Sequence, residues 1–243
     1  MLENLAKPTS EKQPQTSSTL VKTAYAHLRR DIIEGRLAPG SRLRVEHLKD
    51  SYGLGAGTLR EALTLLVSDA LVVSHSQRGF HVTPISISDF FDITQTRIVL
   101  ETDALRQSIR DGDDVWEGRV IAAFHRLTRA EERLADSRVE GFNEWEERNR
   151  EFHHALISAC TSRWTHHFLG LLYQQAERYR RLVVTRQPIP RDVHGEHQII
   201  VDATLNRDAD RAADILAQHI LMTYDAVKQL PPDLFEGAAQ VSD

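Results

Sequence analysis

The chain has 243 residues, of which 41% are hydrophobic and 27% are charged. These values are ordinary for a globular protein, and the length leaves room for two modest domains. No apolar run approaches the roughly 18 to 20 residues of a membrane-spanning helix, and the polar N-terminus is unlike a secretory signal. A single cysteine, Cys160, excludes an internal disulfide, so we expect a cytoplasmic protein.

The net charge of −5 is unevenly distributed along the chain. Residues 20–83 hold nine Lys or Arg against six Asp or Glu, a balance of +3. From Pro84 onward there are nineteen basic against twenty-seven acidic residues, a balance of −8. This asymmetry favours a mildly basic module that binds nucleic acid, followed by an acidic second domain.

The first stretch of the chain, residues 1–18, is rich in Ser, Thr, Gln, Lys and Pro, and we expect it to be disordered. A helix is predicted from Leu20 to Glu34, because apolar residues recur there with the 3.6-residue period. Gly35 is the expected C-cap of this helix.

Two short helices joined by a glycine turn are predicted in residues 44–71. The second begins at about Gly57, and its leucines recur at helical spacing to form an apolar stripe. Thr58 and Arg60 flank Leu59 of that stripe, so they point away from it. This is the layout of a helix-turn-helix, whose second helix enters the major groove of DNA. An ordinary pair of antiparallel helices is the alternative.

A β-hairpin is predicted directly after the helix pair. The segments LVVSH and FHVT are rich in β-branched and aromatic residues, and QRG between them supplies a tight turn. Such a hairpin is typical of the wing of a winged helix. Arg78 and Gly79 lie at its tip, where a close approach to a phosphate or to the minor groove is sterically allowed.

Three phrases of this region, LRRDIIEGRLAPGSRL, TLREAL and QRGFHV, resemble the N-terminal winged helix of the GntR family of bacterial transcription regulators. The resemblance covers about residues 20–83. Most relatives carry an Arg just before the TLREAL phrase, whereas this chain has Ala56, like the CsiR (GlaR) branch of the family. The resemblance implies a set of residues at the DNA: Arg36, Arg44, Gly57, Thr58 and Arg60.

Beyond a short linker at residues 86–88, the chain has the periodicity of helices and no strand pattern. Ser88 is a candidate N-cap for the first of these helices. Glycine and proline breaks, Pro188 and Pro190 among them, divide the region into six segments. The predicted helices are residues 88–110, 115–135, 142–160, 164–184, 191–206 and 209–228. The predicted fold is therefore mainly α, a winged helix-turn-helix followed by an all-α bundle of six or seven helices.

This second region resembles the FCD domain, the ligand-binding domain of the FadR subfamily of GntR regulators. The phrases that carry the resemblance are Arg97-x-x-x-Glu101, NREFH ending at His153, His197-x-x-Ile-x-x-Ala203, and His219-Ile. It covers about residues 88–230 and implies a domain that binds a small molecule.

Three histidines of this region fall on the inward faces of different predicted helices. His153 shares a helical stripe with Asn149, while His197 and His219 lie on the apolar faces of the last two helices. Arg97 lies on the apolar face of the first helix of the bundle. Buried His and Arg are costly unless they are paired or liganded. Each could be a core residue satisfied by hydrogen bonds, but together they predict one shared site.

The FCD resemblance implies a divalent metal held by one Asp and three His. Here the histidines are His153, His197 and His219, and the Asp position holds Asn149, a neutral and weaker ligand. Three neutral imidazoles suit Zn²⁺ or Ni²⁺ and leave coordination positions open. These four residues are the expected metal ligands.

Arg97 and Glu101 are the candidate residues for binding an effector. The planar guanidinium of Arg97 suits a carboxylate, so a small organic acid is the expected ligand. Glu101 is an inward acid that could instead pair with Arg97. The CsiR-like branch implies a small dicarboxylate such as glutarate.

The sequence thus predicts a DNA-binding transcription regulator, a repressor by the habit of its family, whose operator binding is released by an acid. We expect a homodimer on an inverted repeat in double-stranded DNA, because one recognition helix reads only a few base pairs. The alternatives are a metal-dependent hydrolase and a DNA-binding protein without effector. The predicted segments are a disordered tail (1–18), a winged helix-turn-helix (19–85), an effector-binding and dimerisation domain (86–232) and a C-terminal tail (233–243).

Overall fold

The structure, a computed structural model, describes residues 17–186 and 191–235. Most of the predicted N-terminal tail, the predicted breaks at Pro188 and Pro190, and the end of the C-terminal tail lie outside the described residues. The described chain is mainly helical, which confirms the predicted fold class. Among its helices, none combines the length and the apolar character needed to cross a membrane.

Three helices form the body of the first region. Helix α1 spans Ser17–Ile33, α2 spans Val45–Tyr52 and α3 spans Ala56–Ser68. Gly53 ends α2 with a φ of 64°, a left-handed conformation that lets the chain turn sharply into α3. The apolar faces of the helices share one core. Its fully buried leucines are Leu28, Leu59, Leu63, Leu66 and Leu71.

A small antiparallel sheet completes this region as the predicted wing. Strands β2 (Val72–His75) and β3 (Gly79–Val82) form the hairpin, and β1 (Arg42–Leu43) pairs with β3 on its other side. The strand order is β1-β3-β2. Strand β1 was not predicted, because two residues are too short to carry a periodic pattern.

Six helices form the described part of the second region, as the sequence predicts. They are α4 (Ile87–Asp111), α5 (Asp114–Asp136), α6 (Arg138–Leu156), α7 (Arg163–Arg186), α8 (Val193–Leu205) and α9 (Ala209–Lys228), followed by a 3₁₀ turn, Pro232–Leu234. Helix α5 packs against α6, and α4 packs against α9. The apolar side chains between them form the main core of the bundle.

The predicted ends of two helices were wrong. Ser86, rather than Ser88, caps α4, because its side chain accepts a hydrogen bond from the backbone N–H of Asp89 at 3.0 Å. Helix α6 begins and ends four residues earlier than predicted. The backbone N–H of Cys160 donates to Oγ of Ser108 at 2.8 Å instead of continuing the helix.

Helix α7 joins the two regions. Its Glu177 forms an ion pair with Arg29 of α1 at 2.6 Å, and its Gln175 side chain donates to the backbone oxygen of Asp69 at 2.8 Å. The same helix also lines the cavity of the bundle. The winged helix is thus held by an element that reaches the interior of the second region.

Candidate effector site and DNA-binding surface

A cavity of about 40 Å³ lies within the helical bundle. Helices α4, α6, α7 and α9 and the start of α8 contribute to its wall. The polar lining residues are Arg97, Asn149, His153, Arg180, Arg191, His219 and Thr223, and the apolar ones are Trp145, Val183, Val184, Val193, Ile220 and Ala226. The cavity can therefore take a ligand with both charged and hydrocarbon parts.

The three predicted histidines come together beside this cavity. His153, His197 and His219 are all buried, and each offers a ring nitrogen within 4.8 Å of those of the other two. The ring centroids of His197 and His219 lie 4.7 Å apart. Three helices thus bring their histidines to one point, in an arrangement that could hold a metal ion.

A carboxylate lies behind each histidine of this cluster. Nδ1 of His197 lies 2.9 Å from Oε1 of Glu131, and Nδ1 of His219 lies 2.7 Å from Oε2 of Glu196. Nδ1 of His153 lies 3.4 Å from a carboxylate oxygen of Glu101. Ligating histidines usually donate their second N–H to such a group, which fixes the ring and its tautomer.

The free nitrogen of His197 fits a metal ligand. Its Nε2 is buried and has no hydrogen-bond partner among the described residues, while Nδ1 faces Glu131. Burial lowers the pKa of His153 to about 4 and also lowers the pKa of His197, and burial together with the neighbouring histidines lowers the pKa of His219. All three rings are thus neutral near pH 7, the form in which imidazole binds metals.

Asn149 is buried on α6, one helical turn before His153, and lines the same cavity. This is the position where the predicted FCD metal site has an Asp. The amide of Asn149 brings an oxygen but no negative charge, so its contribution to a cation would be weaker.

Arg97 and Glu101 form a buried ion pair on α4. Nε of Arg97 donates to Oε1 of Glu101 at 2.8 Å, and the hydroxyl of Tyr173 donates to Oε2 at 2.6 Å. The guanidinium of Arg97 lies over the Tyr173 ring, 4.5 Å from its centroid. Burial alone would raise the pKa of Glu101, but Arg97 and His153 outweigh it and lower the pKa to about 2.

The sequence reasoning missed several charged residues of this site. Arg180 and Glu146 form a second buried ion pair, and Arg191 pairs with Glu196 at 2.9 Å. Glu131 could have been identified from the sequence, because it lies four residues after the buried Leu127 and hence on the inward face of α5.

All of the predicted DNA-binding residues except Arg36 lie on α3, at the start of α2 or on the wing. Arg44, Arg60 and Gly79 line one shallow surface depression, together with Arg42 and others. Arg44 and Arg60 are both exposed. The basic side chains and the exposed glycine backbone of three elements therefore lie on the same side of the winged helix, as a DNA-binding surface requires.

The remaining predicted DNA contacts have mixed surroundings. Gly57 is exposed and Thr58 half-buried in the first turn of α3, and Arg78 is exposed at the wing tip. Arg36 is exposed but bonded within the domain to Asp31 and Glu34. Its guanidinium must exchange those partners to reach a phosphate.

Comparison with known proteins agrees with this architecture. A family model described as bacterial regulatory proteins, gntR family, matches residues 20–82, and the FCD domain model matches residues 92–221. The chain is 50% identical to the uncharacterized HTH-type transcriptional regulator BphR of Paraburkholderia xenovorans (strain LB400), over 87% of this chain and 86% of that protein. The chain belongs to the GntR family. Its helical region is an FCD domain.

Other relatives support the same family. The HTH-type transcriptional repressor GlaR of Escherichia coli (strain K12) is 34% identical, over 84% of this chain and 94% of its own. A solved GntR regulator from Rhodococcus sp. RHA1 has a TM-score of 0.68 at 23% identity, covering 87% of this chain and 98% of that chain. Escherichia coli McbR/YncC has a TM-score of 0.69 at 19% identity, covering 86% and 97%. These two structures share the fold.

The family decides between the functions that the sequence left open. The relatives are transcription regulators and not enzymes, so this GntR protein is a regulator and the hydrolase alternative is wrong. The winged helix implies binding to DNA, and the FCD domain implies a small-molecule effector.

Proposed function

We propose that this GntR regulator is a repressor whose operator binding is released when a small organic acid enters the cavity of its FCD domain. The cavity carries the proposal, because three arginines and two histidines of the metal-binding cluster line it. Repression is supported by the 34% identity to the repressor GlaR. A regulator of bacterial DNA would act in the cytoplasm.

The ligands of a divalent metal would be His153, His197 and His219, with Asn149 as a weak fourth ligand. The unpartnered Nε2 of His197 supports this assignment, because buried polar atoms are almost always satisfied. A bound Zn²⁺ or Ni²⁺ would supply positive charge and open coordination positions for an acid. The carboxylates behind the rings hold their orientation.

The metal assignment is tested by removing ligands and by restoring one. The double variant His197→Ala/His219→Ala should lose the metal in elemental analysis, while the winged helix, which has its own core, stays folded. Asn149→Asp should tighten metal binding in a chelator competition, since it adds a charged oxygen ligand. Wild-type protein that carries no metal after purification from zinc- and nickel-rich medium would contradict the assignment.

Arg97 would hold a carboxylate of the acid. Glu101 and the ring of Tyr173 fix its guanidinium in the cavity wall, so little side-chain freedom would be lost on binding. Calorimetry should show weaker acid binding by Arg97→Gln. The control Arg106→Gln alters an exposed arginine of the same helix, paired with Asp210, and should bind as wild type. Equal affinities in all three proteins would remove Arg97 from the site.

Release of DNA is tested by titrating the operator complex with a panel of small mono- and dicarboxylates. An acid can shift the equilibrium only if it binds the DNA-free arrangement more tightly, so linkage requires DNA to weaken acid binding by the same factor. The expected result is a rise in operator Kd with one class of acid. Unchanged operator binding with every acid that binds the protein contradicts the proposed regulation.

We further propose a homodimer on an inverted repeat, with residues 19–85 as the DNA-binding domain and residues 86–232 supplying most of the dimer contact. A pair of recognition helices doubles the length of sequence that is read. Light scattering of the protein on its preferred operator should give two chains per site. A complex with one chain per site would contradict the dimer.

A further inference from the structure

An open groove of about 560 Å³ runs between α5 and α6 on the outside of the FCD domain. The small, buried side chains of Ala123 and Ala155 lie at its floor, so the two helices leave room above them. The basic residues that line the groove are Arg119, Arg126, Arg150 and His154.

The groove is separate from the cavity inside the bundle, and the two share no lining residue. Asn149 and His153 of α6 line the cavity, whereas the next residue in each case, Arg150 or His154, lines the groove. Successive residues of an α-helix point about 100° apart, so α6 presents a different face to each site. A ligand in the groove would therefore not compete for the cavity.

Two arginines of the groove have no partner in the described chain. Arg119 and Arg150 are exposed, and neither forms a hydrogen bond or an ion pair with another described residue. From Pro84 onward the chain has eight more acidic than basic residues, so carboxylate partners are plentiful in this region. Positive charge that stays uncompensated in such surroundings favours an anion from outside the chain.

The third arginine of the groove is held loosely. Nε of Arg126 lies 3.4 Å from Oε2 of Glu151. Both carboxylate oxygens of Glu151 lie closer to Nη1 of Arg148, at 2.8 Å each. Arg126 can therefore turn to a ligand without leaving Glu151 unpaired.

The charge of the groove matches a phosphate group. Three arginines against one glutamate give its lining a net charge of +2, because partial burial, His166 and Arg150 lower the pKa of His154 and keep that ring neutral near pH 7. A phosphate monoester carries about −1.5 to −2 charges near pH 7 and offers three oxygens. A single carboxylate carries half that charge, and the planar guanidinium suits phosphate oxygens.

The surroundings of the groove favour a small anion over DNA. A long polyanion would extend beyond the arginines and meet the acidic surface of the region, whose charge balance is −8. Like charges repel, and the repulsion grows with the number of phosphates brought near that surface. A small molecule meets only the basic groove.

We propose that the groove between α5 and α6 is a second ligand site, which binds the phosphate group of a small phosphorylated molecule through Arg119, Arg126 and Arg150. His154 lies in the same groove, where its ring can donate to a phosphate oxygen once it is protonated. This site goes beyond the proposed acid effector of the cavity and does not depend on it.

Calorimetry on the full-length protein tests the site with inorganic phosphate, pyrophosphate and glycerol 3-phosphate at constant ionic strength. The variants are Arg119→Gln and Arg150→Gln. The matched control is Arg129→Gln, an exposed arginine of α5 that lies outside the groove and pairs with Glu132 at 2.7 Å. Circular dichroism reports whether each variant keeps its fold.

The expected result is saturable binding of at least one phosphate probe to wild type and to the control. Each groove variant should weaken it by roughly fivefold to tenfold, between the values for exposed ion pairs and for hydrogen bonds to buried charges. Equal affinities in all four proteins, or no binding to wild type, would overturn the site. A double variant that binds phosphate like wild type but has a shallower salt dependence of operator binding would assign the groove to DNA and overturn it as well.

The His154 ring gives a second, local readout. A bound phosphate should raise the pKa of His154, because a nearby anion favours the protonated ring. NMR titration measures this pKa with and without the probe, and the spectrum of His154→Gln assigns the resonance. The rise should be present in Arg129→Gln and smaller in Arg150→Gln. A pKa that does not move at saturating phosphate would place the bound anion elsewhere and contradict the proposal.

Discussion

The two regions of this regulator differ in the polar side chains that they bury, although both have apolar cores. Among the described residues, every buried polar or charged side chain lies in the FCD domain, where the set includes two arginines of the cavity, two glutamates and three histidines. The core of the winged helix is apolar throughout. Its basic groups, such as Arg44 and Arg60, lie on the surface. The winged helix thus exposes basic groups that suit the polyanion DNA, whereas the FCD domain encloses polar groups that suit a small ligand.

This difference has a cost that falls on one region alone. Charges that are removed from water recover their hydration free energy only through well-placed partners, and a buried pair is often no more stable than an apolar replacement. The pair Arg180–Glu146 and the pair Arg97–Glu101 are both almost fully buried. The FCD domain should therefore be fragile to loss of one partner, and the winged helix to loss of packing.

The largest expected effect comes from breaking the pair between Arg180 and Glu146. Glu146→Ala leaves a buried guanidinium without its carboxylate and should lower the free energy of unfolding by about 3–5 kcal/mol. Glu144→Ala, two residues away, removes an exposed partner of Arg133 and should change little. Urea denaturation of both variants measures the two changes in the free energy of unfolding. The double variant Glu146→Leu/Arg180→Leu should recover much of the loss, and a failure to do so would show that the charges themselves stabilise the domain.

The winged helix should respond to a cavity instead. Leu63→Ala removes a fully buried side chain from α3 and should cost about 2–5 kcal/mol, depending on how far the core collapses. Hydrogen exchange should localise the loss to α1, α2 and α3, with metal and acid binding unchanged. Leu65→Ala, on the exposed side of α3, is the matched control. Equal exchange rates in both variants would contradict the separate apolar core.

A pH titration should also distinguish the FCD domain, with its buried histidines, from the winged helix. Burial lowers the pKa of His153 from 6.5 to about 4, so in this window the unfolded chain binds more protons than the folded one. The stability of the metal-free protein should therefore fall as the pH drops from about 6.5 to 4, by about 3 kcal/mol from His153 alone. Glu101, with a pKa of about 2, stays charged in this range.

The measurement is denaturant unfolding of chelator-treated protein at several pH values. The variant His153→Gln should have a shallower dependence, because its side chain does not titrate. The described winged helix buries no histidine, so its hydrogen exchange should not follow the same curve. A stability that is flat between pH 6.5 and 4 would contradict a neutral buried His153.

Local sequence signals account for why one region was easier to predict than the other. The leucine stripe of α3 and the turn at Gly53 are short-range features, and both are present in the structure. Strand β1 was missed because its pairing with β3 depends on residues about forty positions away in sequence. The family resemblance and the helical period together identified His153, His197 and His219, which the structure brings to one cluster.

The partners of those histidines were not predictable in the same way. Glu196 and Arg191 approach His219 only because α8 and α9 pack against each other, a contact with no local pattern in the sequence. Arg180 and Glu146 meet across α6 and α7 for the same reason. Periodicity shows which face of a helix is buried, but it does not show which buried charges will meet.

The smallest expected effects concern exposed basic residues of the winged helix. Arg60 is exposed near the start of the recognition helix and lines the same depression as Arg44. If it reads a base edge, Arg60→Ala should weaken operator binding by roughly 1–3 kcal/mol and weaken binding to random DNA much less.

Lys22→Ala, on the exposed face of α1, should cost less and mainly reduce the slope of log K against log salt, as for a phosphate contact. Both variants leave the apolar core untouched, so unfolding should not change. Operator titrations at several salt concentrations separate the two roles, and an Arg60→Ala protein that binds operator and random DNA like wild type would place the recognition surface elsewhere.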